Sequence, residues 1–216
     1  MLAKRLTRMR QASSRRCVLC SWSLVLAVCG VLAGSCPSSA CDTALLVIDV
    51  QKLWLEEGDW RTIDGIYLVD AVAEVLRLGR EVSLPIVYIQ DTSVDATYAG
   101  ADRLAFADSI APLPGDPVFE KKDRNAFTNE ALQPFLEARE IERLLVCGMA
   151  SDSCVAATLT GALDLGFDVI IIGDAHSSGH GGRKAAFMND IWAGWGIPLA
   201  SALDLASYCL ASDEES

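Results

Sequence analysis

A thiol that could serve as a nucleophile stands at Cys154, inside the stretch Leu144 to Leu165. Leu144 to Cys147 is a short apolar run, as a strand shows when a parallel sheet is covered on both faces, and Gly148 stops it. From Ser153 the apolar residues Val155, Leu159, Ala162 and Leu163 recur at three- and four-residue intervals, which is a helix face, with Ser151, Asp152 or Ser153 available as its N-cap. Cys154 therefore falls at a strand-to-helix turn. Such a turn lies at the carboxyl edge of a sheet, where ligands bind in open α/β folds, and its first helical residues sit in a dipole that favours thiolate. A lone cysteine is equally at home as a small apolar core residue, so its position leaves both readings open.

A nucleophilic cysteine needs a base or a positive field beside it. Ala44 to Ile48 is a continuous apolar run that ends in Asp49, a carboxylate at the carboxyl edge of a first buried strand; a turn or cap residue would also be an aspartate. Val118 to Glu120 is a short strand leading into Lys121 and Lys122, and such a pair on a loop is usually solvated surface charge. His176 and His180, the chain's two histidines, lie by Gly179, Gly181 and Gly182 and read as surface-loop residues.

The elements that must hold these groups alternate in type. After the strand to Ile48, the apolar positions Ile66, Val69, Val72, Ala73, Leu76 and Leu78 predict a helix from about Ile63 that Gly79 can stop. Pro85 to Ile89 is a second strand, and Thr92 to Pro117 a long connection broken by Gly100, Pro112, Pro114, Gly115 and Pro117, expected to be a lid or a subunit contact. Asn129 is expected to cap a helix through about Arg139, with Pro134 an awkward interior residue. Arg143 to Cys147, Asp168 to Ile172 and Ile197 to Ala200 are strands four to six. Helices over about Ser153–Leu165, Arg183–Ala193 and Leu203–Leu210 accompany them. Strands alternating with helices across short links predict an α/β fold, a parallel sheet sandwiched between helices with right-handed crossovers.

Of 216 residues, 18 are Lys or Arg and 29 Asp or Glu, a formal net charge of −11. Residues 1–41 hold six bases (Lys4, Arg5, Arg8, Arg10, Arg15, Arg16) and no acid, so the rest is six charges more negative still, which argues against nucleic-acid binding. Cys17 to Ala33 carries no charge and leads into Gly34-Ser35-Cys36-Pro37, a pattern expected of an export signal. Leu32-Ala33-Gly34-Ser35-Cys36 is similar to a lipoprotein cleavage box with Cys36 as the lipidated residue; cleavage after Ala40, an uncleaved anchor, and a misplaced start codon that would leave a cytoplasmic enzyme are the competing expectations. The division expected is a signal or anchor at 1–41, one domain at 42–210 and a polar tail at 211–216. The cysteines of the domain proper, Cys147, Cys154 and Cys209, match neither a disulfide framework nor a zinc pattern.

Gly148-Met149-Ala150-Ser151-Asp152-Ser153-Cys154-Val155, with Asp49-Val50-Gln51 and with Lys121 ahead of Asn125-Ala126-Phe127-Thr128, resembles the isochorismatase-like cysteine hydrolases over roughly residues 43–205. The resemblance implies a three-layer α/β/α sandwich on a six-stranded parallel sheet in the Rossmann-like order 3-2-1-4-5-6, in which strands one and four are neighbours. It implies a catalytic set of Asp49, Lys121 and Cys154, an oxyanion hole from the N–H groups of Ala150 and Cys154, and a cis peptide joining Met149 to Ala150. Gln51 and Trp54 fall where relatives line the pocket, and Phe127 reads either as a further lining residue or as an aromatic staple in the core. Relatives that use a metal for nicotinamide hydrolysis carry histidines after strand two, and Asp91-Thr92-Ser93-Val94-Asp95 has none, so neither metal nor cofactor is expected. The implied activity is hydrolysis of a C–N bond in a small amide, ureido or carbamoyl compound through a thioester. The alternatives are vinyl-ether hydrolysis and a non-catalytic scaffold. The expected partners are the small substrate and further copies of the chain, with membrane contact only through the amino-terminal segment.

Overall fold

The first strand, β1 (Thr43–Ile48), is buried along its whole length. Its alternate side chains serve two cores. Leu45 and Val47 pack with Leu68, Val72, Val75 and Leu76 on one face, whereas Ala44, Leu46 and Ile48 pack with Leu132, Leu136, Leu159 and Trp192 on the other. A strand apolar on both faces is stable only between two layers of helix, each buried Leu, Ile or Val contributing roughly 1.5–3 kcal/mol.

This computed structural model describes residues 41–55, 65–179 and 182–210. The expectations for Cys36 and the rest of the amino-terminal segment, for His180 and for the tail after Leu210 lie outside the described residues. Following β1 come α1 (Lys52–Leu55), α2 (Gly65–Glu81), β2 (Ile86–Asp91), α3 (Ala96–Ala99), α4 (Ala101–Leu104), β3 (Val118–Lys121), α5 (Leu132–Glu137), β4 (Arg143–Met149), α6 (Ala156–Leu165), β5 (Asp168–Ser177), α7 (Gly182–Gly194), β6 (Leu199–Ala200) and α8 (Leu205–Leu210). The six strands form one sheet in the order β3-β2-β1-β4-β5-β6, every pair parallel. Residues of α2 and α8 cover one face; residues of α5, α6 and α7 cover the other. This is the three-layer α/β/α sandwich with the topological switch point at β1 and β4. Among the described residues no helix is long and apolar enough to cross a membrane.

Several boundaries differ from the sequence pattern for identifiable reasons. Helix α2 runs past Gly79, because that glycine is buried against Leu84 and Leu205, and the stop is made by Ser83 at φ 57, with the Leu84 N–H returning to the Gly79 carbonyl. Asn129 caps no long helix. Its side chain instead accepts from the Ala131 N–H and donates to the Glu120 carbonyl, and α5 begins only at Leu132. Pro134 then lies in the first turn, where its missing N–H costs no helical hydrogen bond. Strand β5 does not close at Gly173-Asp174 but continues to Ser177, because β4 continues to Met149 and pairs with it after a register shift, Gly148 opposite His176 and Met149 opposite Ser177.

The long connection is folded. It carries α3 and α4, and Leu104 and Ala99 bury Leu53 from α1. Lys52 fastens it further through Asp102 at 3.2 Å and Asp108 at 2.9 Å. These exposed pairs contribute little stability, so the apolar contacts do most of the fastening.

Gly148 is the tightest point of the sheet. At φ 115, a Cβ there would lie 2.1 Å from the Ile48 carbonyl oxygen of the neighbouring strand, a separation that no rotamer can relieve. Gly148→Ala is therefore expected to cost at least about 3 kcal/mol in urea denaturation, from a forbidden backbone region and a backbone clash together; a variant within about 1 kcal/mol of the parent would contradict this close approach.

Candidate active site

Three parallel strands end side by side and deliver three charged groups to one edge. Asp49 follows β1, Asp91 ends β2 and Lys121 ends β3, with Asp91 directly opposite Lys121 in the register. Asp49 leaves its strand at φ 53, a left-handed conformation that aspartate tolerates better than most residues, and its backbone N–H is held by the Ile89 carbonyl at 3.0 Å. From the other neighbour of β1, strand β4 passes through Gly148 into the Met149–Ala150 peptide, which is cis. A single π-helical turn over Ser151–Val155 follows, in which the Ala150 carbonyl takes both the Ser153 and Val155 N–H groups, and α6 begins behind it. Cys154 projects from this wide turn, a backbone form that recurs at functional sites.

The Lys121 ammonium is the hub. Its side chain has no exposure, and Nζ stands 2.8 Å from Asp49 Oδ2, 3.4 Å from Asp91 Oδ2 and 3.4 Å from Cys154 Sγ. A carboxylate oxygen from each aspartate and the sulfur all lie within 4.8 Å of one another. That trio is the one grouping among the described residues with the donor set for a metal ion, but the ammonium already supplies positive charge at its centre, and no histidine joins it. The residues present therefore fit an ion poorly.

Burial raises the Asp49 carboxyl to about 6 against the pull of Lys121. Burial also pushes the Cys154 thiol up, to about 11, and the Asp49 carboxylate adds to the rise more than Lys121 takes from it. Lys121 loses by desolvation but gains more from Asp49, Cys154 and Asp91 together, and its pKa is raised overall. At neutral pH the resting state is thus a thiol, an ammonium and a carboxylate. The helical turn does not by itself yield a standing thiolate. The Asp49 carboxylate faces the Lys121 ammonium and the Cys154 thiol, whose hydrogen bonds both pull its pKa down, so it is open to a proton from the thiol.

A cleft of about 540 Å³ opens over these groups. Asp49, Cys154, Ala150 and Met149 form its floor, Trp54 stands in its wall, and Lys122, Asp123 and Arg124 lie along its margin. Both residues whose N–H groups the resemblance offers to an oxyanion, Ala150 and Cys154, are therefore on the cleft. Two of the pocket residues expected from the sequence are not. Gln51 is wholly buried, its amide nitrogen donating to the carbonyls of Asp91 and Leu104 and its amide oxygen accepting from the Asp91 N–H, so nothing is left for a ligand. Phe127 stacks on Phe167 at 5.7 Å between centroids and belongs to the core under α6.

His176 is also placed differently from its expected surface loop. It is buried in β5, edge-on to Trp192, and joined to Ser151 Oγ at 2.8 Å and Asn189 Oδ1 at 2.7 Å. Because the Asn189 amide nitrogen donates to the Gly173 carbonyl, its Oδ1 is the acceptor, which makes His176 Nε2 the donor. Burial lowers the His176 pKa, and in the neutral ring Nδ1 must then accept from the Ser151 hydroxyl. The chain of bonds ties α7 and β5 to the residue that follows the cis peptide. Glycines around His176 hid this role. Asp91 was legible by the argument that picks out Asp49, an acid closing a buried strand beside the switch point.

The fold and the site define a hydrolase of the three-layer α/β/α class, with a thiol, an ammonium and two carboxylates gathered at the carboxyl edge of its parallel sheet. Residues 43–201 match the isochorismatase domain, and the chain belongs to that family. Over 194 residues it is 27% identical to the ureidoacrylate amidohydrolase RutB of Azorhizobium caulinodans, covering 71% of this chain and 86% of that protein. A streptothricin hydrolase of Streptomyces noursei is 31% identical over 139 residues, covering 62% of this chain and 49% of that one. Among solved structures, a cysteine hydrolase from Pseudomonas syringae pv. phaseolicola superposes with a TM-score of 0.71 at 16% identity, over 82% of this chain and 96% of that chain, a likeness of fold.

His176→Leu leaves the buried Ser151 hydroxyl and the half-buried Asn189 carbonyl oxygen without these partners and is expected to destabilise the fold by roughly 1–3 kcal/mol. Adding Ser151→Ala removes one stranded group, so the double variant should be more stable than the sum of the singles predicts; strict additivity in urea denaturation would refute the bond between them.

Proposed function

We propose that the protein is a cysteine amidohydrolase that cleaves the C–N bond of a small amide, ureido or carbamoyl compound through a thioester on Cys154. The observation that carries this reading is the buried ammonium of Lys121, within 3.4 Å of the Cys154 sulfur and 2.8 Å of the Asp49 carboxylate. In this reading the Cys154 thiol passes its proton to Asp49 as the sulfur attacks the carbonyl carbon, and Lys121 offsets the negative charge shared between them. The N–H groups of Ala150 and Cys154 receive the tetrahedral oxyanion. Asp49 returns the proton to the leaving nitrogen as the C–N bond breaks. Water, losing a proton to Asp49, then opens the thioester and frees the acid and the thiol. The names of the relatives support this class: one acts on ureidoacrylate as an amidohydrolase, and another is a streptothricin hydrolase.

Cys154→Ala is expected to abolish turnover while leaving the unfolding midpoint close to the parent's, and intact-mass spectrometry of the parent mixed with small amides should find an acyl adduct on Cys154. Turnover in the alanine variant would end the proposal. Because Asp49 accepts a proton only when ionised, kcat/KM should rise with pH through about 6, the value to which burial lifts it. Asp49→Asn should remove that limb and slow turnover by about 10²–10⁴-fold, the span of a lost general base.

For its location we propose export, with the domain tethered through Cys36, on the strength of the six bases ahead of a charge-free stretch. Cys36→Ser should then change the size of the mature protein and release it from the membrane fraction. Full-length protein in the cytosol of the native host would count against export and leave the enzymatic proposal standing.

A further inference from the structure

The margin of the cleft carries two cations that no acid among the described residues pairs with. Lys52, Arg77, Arg80, Arg143 and Lys184 each pair with an acid, as expected in a chain whose formal charge is −11. Lys122 and Arg124, both exposed and both on the cleft, have no acid within bridging distance among the described residues. Asp123 stands between them, its Oδ1 taking the Arg124 backbone N–H. At the floor, Lys121 already answers Asp49 and Asp91. The two outer cations are therefore the uncommitted charges of the site.

Nor does the loop that carries them hang free. Thr158, wholly buried on α6, accepts the Ala126 N–H at 3.0 Å and donates to the Arg124 carbonyl at 3.4 Å. Asn125 caps the following turn through the Phe127 N–H and packs so closely on Gly161 that a Cβ there would meet its amide at 2.5 Å. The backbone of Arg124 is thus fixed on both sides, which lowers the entropic cost of holding a ligand. The lining also includes Trp54 and Met149, which offer apolar surface, and Ser93 and Ser153, which offer hydroxyls.

We infer that the substrate is an anion: a small amide or ureido compound whose far end bears a carboxylate, bound by Arg124 with Lys122 while its carbonyl lies against Cys154. This rests on the proposed nucleophile and adds the substrate's charge and the residues that select it. Guanidinium is suited to a carboxylate because its paired N–H groups match the two oxygens, and Lys122 contributes as a point charge. In a protein repelling anions elsewhere, two such cations at the mouth also raise the local concentration of an anionic substrate.

The test needs no knowledge of the natural substrate. N-chloroacetylglycine, an anion at neutral pH, and its neutral analogue N-chloroacetylglycinamide each alkylate a thiol: the C–S bond forms, the C–Cl bond breaks, chloride leaves and the thiol proton passes to the base. Rates at Cys154 are read by intact mass and divided by the rates of the same probes with N-acetylcysteine. The full chain is expected to favour the anion by roughly tenfold, because hydrogen bonds to charged groups are among the stronger ones and salt trims them. The preference should fall to about twofold or less in Lys122→Gln, Arg124→Gln and should shrink with added salt in the parent. A parent without preference, or a preference that survives the double substitution, overturns the inference alone. Failure of both probes to label Cys154 overturns the nucleophile and this inference together.

Discussion

The arrangement depends on one buried ammonium. Lys121 lies among groups that would be intolerable without it: two carboxylates and a thiol crowd within 4.8 Å, and one of those acids has almost no exposure. An ion pair taken out of water gains little net stability over an apolar replacement, but deleting one partner leaves the other charge stranded at a cost of roughly 3–5 kcal/mol. The site is therefore expensive to build and worse to break in part. What offsets the cost is the sheet, whose continuous apolar strands hold Asp49, Asp91 and Lys121 at adjacent strand ends and let none of them withdraw into solvent.

That geometry also decides how the thiol is used. Desolvation raises both the carboxyl and the sulfhydryl, so charge separation within the cluster is disfavoured until something else accepts the negative charge. A carbonyl bound over the turn at Ala150 to Cys154 would be such an acceptor, which couples proton transfer to attack. Air oxidants meet a protonated sulfur at rest, and the second domain cysteine on a strand, Cys147, is wholly buried.

Much of this was legible in the residues. Strand and helix alternation gave the layers, because a run such as Leu45-Leu46-Val47-Ile48 can be covered only from both sides, and Cys154, Asp49 and Lys121 stood at the places where such strands must end. What the pattern concealed were contacts made across the fold. Gln51 follows Asp49 in sequence and reads as a pocket residue, yet its amide is consumed by two separate backbones; Phe127 is an aromatic near the site that serves the core. His176 was masked by its glycine-rich neighbourhood, since the extension of β5 that buries it comes from the register shift against β4, which no local period records. Gly79 failed as a helix stop for the same kind of reason: its small size was required by packing against Leu84 and Leu205, and the turn was left to Ser83.

One feature of β3 has implications for how such a site could diversify. The strand ends at Lys121, whose side chain is turned inward, while Lys122, the first residue of the loop beyond it, is exposed on the cleft margin a single peptide bond later. The part that cannot change without unbalancing the buried charges and the part that meets the solvent side of a ligand are thus separated where the strand gives way to the loop. Side chains at 122–124 can be exchanged while Thr158 and Asn125 keep the backbone in place through bonds and contacts that do not involve those side chains. Ligand preference can drift at this margin with the reacting groups untouched, so one chemistry can be retuned to new molecules by small, independent steps.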